Sequence, residues 1–188
     1  MSRCVIISAC PVSASLASAL RPGDTIIACD AGYRNCAPLH CRPDIIVGDF
    51  DTAPCPAQEG DDTIILPHVK DDTDTEYAAK LASEKGFDEA LLLGARGGRR
   101  LEHTLANLCT GLGLQQRGVR ATLLDERSRI TFVMPGETRR YPKGEYFYLS
   151  VFPMEGRAEG VSERGSFYEL TDAVLTAGYP LGVSNEYA

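Results

Sequence analysis

One ten-residue stretch limits what this 188-residue chain can fold into: Pro43, Asp44, Ile45, Ile46, Val47, Gly48, Asp49, Phe50, Asp51, Thr52. The stretch 44–47, apolar from Ile45 to Val47, suits a short central strand of a parallel sheet, covered on both faces. Gly48 lets the backbone turn sharply where that strand ends. Asp49 and Asp51 then emerge together at the carboxyl edge, where open α/β sheets bind ligands. Two carboxylates so close repel each other unless a proton or a cation lies between them. A hard divalent cation shared with phosphate oxygens is the natural partner.

The same pattern recurs along the first two thirds of the chain. Residues 4–8, 25–29, 63–66, 90–93 and 121–124 read as further short strands. Residues 13–20, 74–85 and 101–116 read as helices, the first broken by Arg21-Pro22-Gly23-Asp24 and the second stopped by Gly86. Strands alternating with helices predict a Rossmann-like α/β domain with a parallel sheet. After about Asp125 the character changes. Runs at 130–134, 145–151 and 166–170 are β-like and separated by Gly and Pro turns, and only 170–177 carries a helical period. The expected organisation is therefore an α/β domain over 1–125 and a small all-β, sandwich-like domain over 126–188. A β unit of about 60 residues is small for independent stability, so it should pack on the first domain or on a second subunit.

Charge and cysteine usage exclude several classes. A net charge of −7 argues against non-specific binding to nucleic acid or to an anionic membrane. It allows a nucleotide ligand, because a metal ion can carry positive charge locally. No apolar run approaches the roughly 18 residues of a transmembrane helix. Residues 1–10 lack the cationic start and apolar core of a signal peptide. The seven cysteines are odd in number and form no CxxC pair, so reduced thiols in a cytoplasmic protein are expected. Cys36, His40 and Cys41 lie close in sequence, but no second ligand pair at zinc spacing follows, and the cysteines read as small buried hydrophobes.

Two further stretches could serve the acid pair. In Lys70-Asp71-Asp72-Thr73-Asp74-Thr75-Glu76, Thr73 and Glu76 are spaced as a capping box. Capping requires neither Lys70, Asp71 nor Asp74, and a helix start beside an acid cluster is a phosphate site in outline. Asp71 and Asp74 could complete a metal shell begun by Asp49 and Asp51. The second stretch, from Gly94 to His103, is a glycine-rich turn between a strand and a helix. It lacks the Gly-Lys-Ser/Thr of a Walker loop and the GxGxxG fingerprint. Its arginines could clamp a phosphate through paired hydrogen bonds. In the helix that follows, Leu101, Leu105, Leu108 and Leu112 mark the expected buried stripe, and Arg100, His103 and Asn107 form a separate polar face.

In this order the stretches resemble the thiamine pyrophosphokinase family. That family carries G-D-F-D-S, K-D-x-T-D-x-E, G-x-x-G-G-R-x-D-H-x-x-A-N and a late S-N-E segment. Here they stand as Gly48 to Thr52, Lys70 to Glu76, Gly94 to Asn107, and Ser184-Asn185-Glu186, and Asp30-Ala31-Gly32 is similar to an early D-G-G turn. The resemblance implies transfer of a pyrophosphoryl group from ATP to the hydroxyl of thiamine, giving thiamine diphosphate and AMP, with magnesium. It implies that Asp49, Asp51, Asp71 and Asp74 bind the metal or orient the hydroxyl. Asp30, Gly32, Arg99 or Arg100, His103 and Asn107 would serve the nucleotide. Tyr168, Ser184 and Asn185 would lie near thiamine, in a β domain that forms a homodimer. The sequence departs from the family in Thr52 for Ser, in Glu102 for Asp, in an extra arginine at 99–100, and in Tyr168 where some relatives place another aromatic.

Rival readings use the same residues. A pyrophosphokinase of similar fold could act on another alcohol, such as a pterin carbinol. Asp49 and Asp51 could instead serve a magnesium-dependent phosphohydrolase of the haloacid dehalogenase kind, although Ala53 stands where those enzymes have Thr or Val. A non-catalytic nucleotide sensor is the third reading.

Overall fold

The computed structural model of the chain describes residues 1–50, 62–67 and 71–188. Asp51, Thr52, Ala53, Cys55 and Lys70 lie outside these residues. The chain divides into two compact units, Met1–Glu137 and Thr138–Ala188.

The first unit is built on a seven-stranded sheet: β1 (Arg3–Ile7), β2 (Thr25–Cys29), β3 (Ile45–Gly48), β4 (Asp62–Ile65), β5 (Glu89–Leu93), β6 (Arg120–Leu124) and β7 (Arg129–Thr131). Their order is β4-β3-β2-β1-β5-β6-β7. The first six run parallel, and β7 is antiparallel to β6. β1 is central, and Cys4, Val5, Ile6 and Ile7 are fully buried. Successive side chains of a strand face opposite ways, so each face of a doubly covered strand must be apolar. Cys4 and Ile6 join one core with Ile27, Val47, Leu92 and the alanines 78, 79 and 82 of helix α1 (Asp74–Glu84). Val5 and Ile7 join the other with Ala28, Leu91, Leu93, Leu16, Cys36 and Leu39. α1 starts as its sequence predicts, with the Glu76 N–H donating to Thr73 Oγ1 at 3.1 Å.

Several expectations are corrected. Residues 13–20 form only a 3-10 helix, Ala14–Ala19, because a single side chain there, Leu16, is buried. A second 3-10 helix, Asp30–Cys36, stands where only a turn was expected. The division falls after Glu137 rather than at 125, because β7 belongs to the first sheet. Asp125 reverses the chain by accepting from the N–H groups of Arg127 and Ser128 at 2.8 and 2.9 Å. Ile130 and Phe132 then pack on the first core. Helix α2 (Leu101–Gln116) packs only half of the leucine stripe, Leu108 and Leu112, on the core. Leu101 and Leu105 are 70% and 54% exposed. Asn107, Thr110, Gly111, Leu114 and Gln115 are buried instead. The reason is close approach: a Cβ on Gly111 would stand 2.6 Å from the Phe132 ring and 2.8 Å from Leu123.

The second unit is all-β, as expected. β8 (Tyr148–Leu149) pairs antiparallel with β11 (Asn185–Glu186), and β9 (Arg157–Glu163) with β10 (Leu170–Thr176). Residues 170–177 are therefore not helical. The ladder of β10 to β9 satisfies backbone groups that a lone turn of helix would leave open.

Two outcomes are expected. Gly111→Ala lowers stability by about 1–3 kcal/mol through overpacking. Combined with Phe132→Leu it costs less than the two single changes summed, as urea melts would show. The second concerns Asp24, whose carboxylate takes Arg3 Nε at 2.8 Å, Arg3 Nη2 at 2.5 Å and the Arg21 N–H at 2.7 Å. Burial would raise this carboxyl, but Arg3 and the Arg21 N–H outweigh burial and hold it below its ordinary value. The stabilisation is thus complete above the unfolded pKa of about 3.9 and is lost as pH falls through the lower folded value. Asp24→Asn should cost about 3 kcal/mol at neutral pH, and the gap to wild type should close in melts below about pH 4.

Candidate active site

The carboxyl edge of β3, β2, β1 and β5 collects the residues that the sequence singles out. Strand order changes direction at β1, the kind of switch point where open α/β sheets form a ligand crevice. Asp30 leaves β2, Asp49 leaves β3, and the glycine turn leaves β5.

Asp30 is held in an unusual way. Its φ is +44°, a conformation that non-glycine residues rarely adopt. It is buried, and among the described residues its Oδ1 has no hydrogen-bond partner. Gly48 is what lets β3 reach it, since a Cβ there would stand 3.0 Å from the Asp30 Cα. Gly32 lays the following 3-10 helix flush on β1, where a Cβ would meet the Ile7 carbonyl oxygen at 2.1 Å. Asp49 is half-buried one residue beyond β3, and Phe50 after it has φ +54°.

The start of α1 closes on the same edge. Ser8 Oγ and Thr75 Oγ1 are hydrogen-bonded at 2.9 Å, and Cys29 Sγ donates to the Asp74 carbonyl at 3.6 Å. Burial first, and then the nearby charge of Asp74 and of Asp30, push the Cys29 thiol far up, so it stays neutral. Asp74 and Asp30 thus flank one buried thiol. Asp71 is exposed, and Asp72 is paired with Lys80 at 2.7 Å. Among the described residues, no three His, Cys, Asp or Glu side chains converge as a ready-made metal site. Asp51 lies outside them.

The glycine turn is a constructed element. Gly94, Gly97 and Gly98 have φ of +61°, +94° and +74°. Asn107 is buried and donates to the Ala95 carbonyl at 2.6 Å, so it braces the turn instead of standing on an open polar face. Thr104 Oγ1 takes the Gly97 N–H at 3.2 Å. Arg96 is bound to Asp125, whose carboxyl would be raised by burial but is held low by the Arg127 N–H and by Arg96. Arg100 pairs with Glu102 at 2.7 Å. Arg99 is exposed and makes no ion pair among the described residues, and His103 is half-buried one turn into α2. Thr104, Ser8 and Arg96 were not singled out from sequence. Only Arg96 carried a signal, its place in a glycine-rich turn, and it points to a phosphate clamp rather than to a strut.

In the second unit, Asn185 is buried and fully engaged. Its Nδ2 donates to the Tyr168 carbonyl at 2.7 Å and to Glu163 Oε1 at 2.8 Å, and its Oδ1 takes the Tyr168 N–H at 2.9 Å. It therefore fixes the loop that displays Tyr168, a ring 69% exposed and in edge contact with Phe167. Ser184 is exposed, has φ +58°, and donates its N–H to Ser150 Oγ at 2.9 Å.

Comparison with known proteins agrees with this anatomy. The family model described as thiamin pyrophosphokinase, catalytic domain, matches residues 16–123. The model for thiamin pyrophosphokinase, vitamin B1 binding domain, matches residues 138–188, beginning where the second compact unit begins. The thiamine pyrophosphokinase of Bacillus subtilis (strain 168) is 29% identical over 117 residues, which is 62% of this chain and 54%, about half, of that protein. The crystal structure of that enzyme from Bacillus subtilis superposes with a TM-score of 0.86 at 23% identity, covering 99% of this chain and 90% of the other. The enzyme from Geobacillus thermodenitrificans gives 0.85 at 26% identity, covering 98% and 88%. The enzyme from Candida albicans keeps the fold at 15% identity, with a TM-score of 0.78 over 99% and 82%. With its catalytic-domain match spanning more than half of the chain and the vitamin-binding domain following in order, this chain belongs to the thiamin pyrophosphokinase family.

Proposed function

We propose that this chain transfers the terminal pyrophosphoryl group of ATP to the hydroxyl of thiamine. The observation that carries the reading is the meeting of Asp30, Asp49 and the α1 start with a braced glycine turn on one sheet edge. The two family matches, to a catalytic and a vitamin-binding domain, support the same conclusion.

The glycine turn and the first turn of α2 receive the polyphosphate. Among the described residues no side chain caps α2, which leaves N–H groups of its first turn as donors for an anion, except that of His103, which is bonded to the Arg100 carbonyl at 3.1 Å. Arg99, the arginine of this turn not engaged with an acid, contacts the phosphates, and His103 stands beside it. Arg96 and Arg100, tied to Asp125 and Glu102, hold the turn in place.

The acids offer the carboxylate oxygens that a hard cation takes, though no three of the described ones converge. Among the described residues, Asp30 Oδ1 is buried without a donor. Asp49, Asp51, Asp71 and Asp74 would hold magnesium, which would neutralise phosphate charge. In the reaction the thiamine oxygen attacks the β-phosphorus. The bond from that phosphorus to the α-phosphate oxygen breaks, and AMP leaves. The hydroxyl proton passes to one of these carboxylates. The protein's part is positioning and charge neutralisation rather than covalent catalysis.

Tyr168 stacks on thiamine, Ser184 lies beside it, and Asn185 sets the Tyr168 loop. The exposed aromatic surface of the second unit supports assembly as a homodimer. The six described cysteines are all free thiols, which supports a reducing, cytoplasmic setting. No helix among the described residues is long and apolar enough to cross a membrane.

Incubation with ATP, magnesium and thiamine should yield AMP and thiamine diphosphate, with no AMP when thiamine is omitted. AMP formed equally without thiamine, free phosphate in place of AMP, or turnover only with a pterin carbinol would each sink the reading. Asp49→Asn and Asp51→Asn should each lower kcat on the order of a thousandfold with circular dichroism unchanged. Arg99→Ala should raise KM for ATP by about tenfold or more, and Arg100→Ala by about twofold at most, a contrast that steady-state kinetics would check.

A further inference from the structure

Asn35 is a buried amide that the mechanism above leaves unused. It lies one residue before the end of the 3-10 helix Asp30–Cys36. Its Nδ2 donates to the carbonyl of Ser8 at 2.9 Å and to the carbonyl of Cys10 at 2.8 Å. These two carbonyls end β1, the strand at the centre of the candidate site. They also border the glycine turn. A Cβ on Gly94 would stand 2.5 Å from the Ser8 oxygen, 2.6 Å from the Cys10 oxygen and 3.2 Å from Asn35 Nδ2. The Cys10 N–H in turn donates to the Gly94 carbonyl at 3.1 Å.

A polyphosphate brought to this turn meets the negative ends of two peptide dipoles. Ser8 is buried and Cys10 half-buried, so at least the Ser8 oxygen is deprived of water. A side chain with two N–H donors and no charge cancels both at once, and an amide has that inventory. From this knot we infer that Asn35 is a positioning residue for the nucleotide. It turns the Ser8 and Cys10 carbonyls away from the phosphates and fixes Gly94, and through the same 3-10 helix it ties that turn to Asp30. The inference rests on the ATP reading of the site and adds a residue to it. Asn35 touches neither phosphate nor thiamine.

Asn35→Asp is the nearest isostere. It removes both donors and places a carboxylate against two carbonyl oxygens. The probe is α,β-methylene-ATP with magnesium, titrated calorimetrically, with KM for thiamine and for ATP measured in parallel. Positioning predicts at least about tenfold weaker analogue binding and an equal rise in KM for ATP. KM for thiamine should stay unchanged, and the circular dichroism should match wild type. Asn35→Ser, which keeps one donor, should fall between the two. Unchanged analogue affinity in a folded Asn35→Asp protein overturns the inference and leaves the function proposed above standing. Equal rises in both KM values, or loss of the fold in both variants, reduce Asn35 to a general packing role and overturn it as well. A wild-type protein that binds no adenine nucleotide overturns both readings.

Discussion

The way β1 ends governs the rest of the molecule. A strand buried on both faces has no water for its backbone, so every peptide group at its exit needs a partner from the protein. The Ser8 N–H goes to the Leu93 carbonyl at 2.8 Å, the Cys10 N–H goes to Gly94, and Asn35 takes both carbonyls. These partners come from two other parts of the chain, the end of β5 with its glycine turn and the Asp30 helix. Satisfying β1 therefore places the strand itself, the Asp30 helix and the glycine turn within hydrogen-bond reach of one another. The glycines follow from the same requirement. At positions 32 and 94 any side chain would collide with β1 carbonyl oxygens.

Charge is distributed unevenly across that edge. Asp72 and Glu76, the outer acids, are matched by Lys80 and Arg117. Asp30, the inner one, keeps a buried oxygen without a donor among the described residues and a backbone in the left-handed region. Strain and an unmet acceptor at one residue are costs of order 1–3 kcal/mol each that folding alone does not require. A protein keeps such a residue where a ligand offsets the cost, and a cation bound with a polyphosphate, as proposed, would supply what the oxygen lacks.

Much of the first unit was legible because its strands are apolar runs ending in Gly or Asp, which leave few alternatives to a buried parallel sheet. The order of the acids and the glycine turn was legible for the same reason. What was hidden depends on contacts remote in sequence. The buried face of α2 is chosen by the fit of Gly111 to Phe132, which hydropathy does not encode. Residues 129–131 resemble the strands after them, yet the Asp125 turn folds them back onto β6. Asn35 gave no signal, since a lone Asn beside Arg and Cys has no periodicity to betray its two backbone bonds. In 170–176 an apparent helical spacing yields to pairing with β9, whose own polar sequence gave no warning of a strand.

The second unit carries the opposite imbalance. Leu175 is its one large hydrophobic side chain in the buried core, whereas Phe147, Tyr148, Phe152, Phe167, Tyr168 and Tyr179 are all more than half exposed. Paired two-stranded ladders have little intrinsic stability, and aromatic rings left in water contribute nothing to it. Such a surface is retained where another surface or a flat ligand covers it. Asn185 makes the arrangement deliberate, for its four hydrogen bonds hold the Tyr168 loop outward where collapse inward would bury more apolar area. The second subunit and planar heteroaromatic acceptor proposed above would account for that outward display. A nucleotide sensor with no acceptor leaves it unexplained.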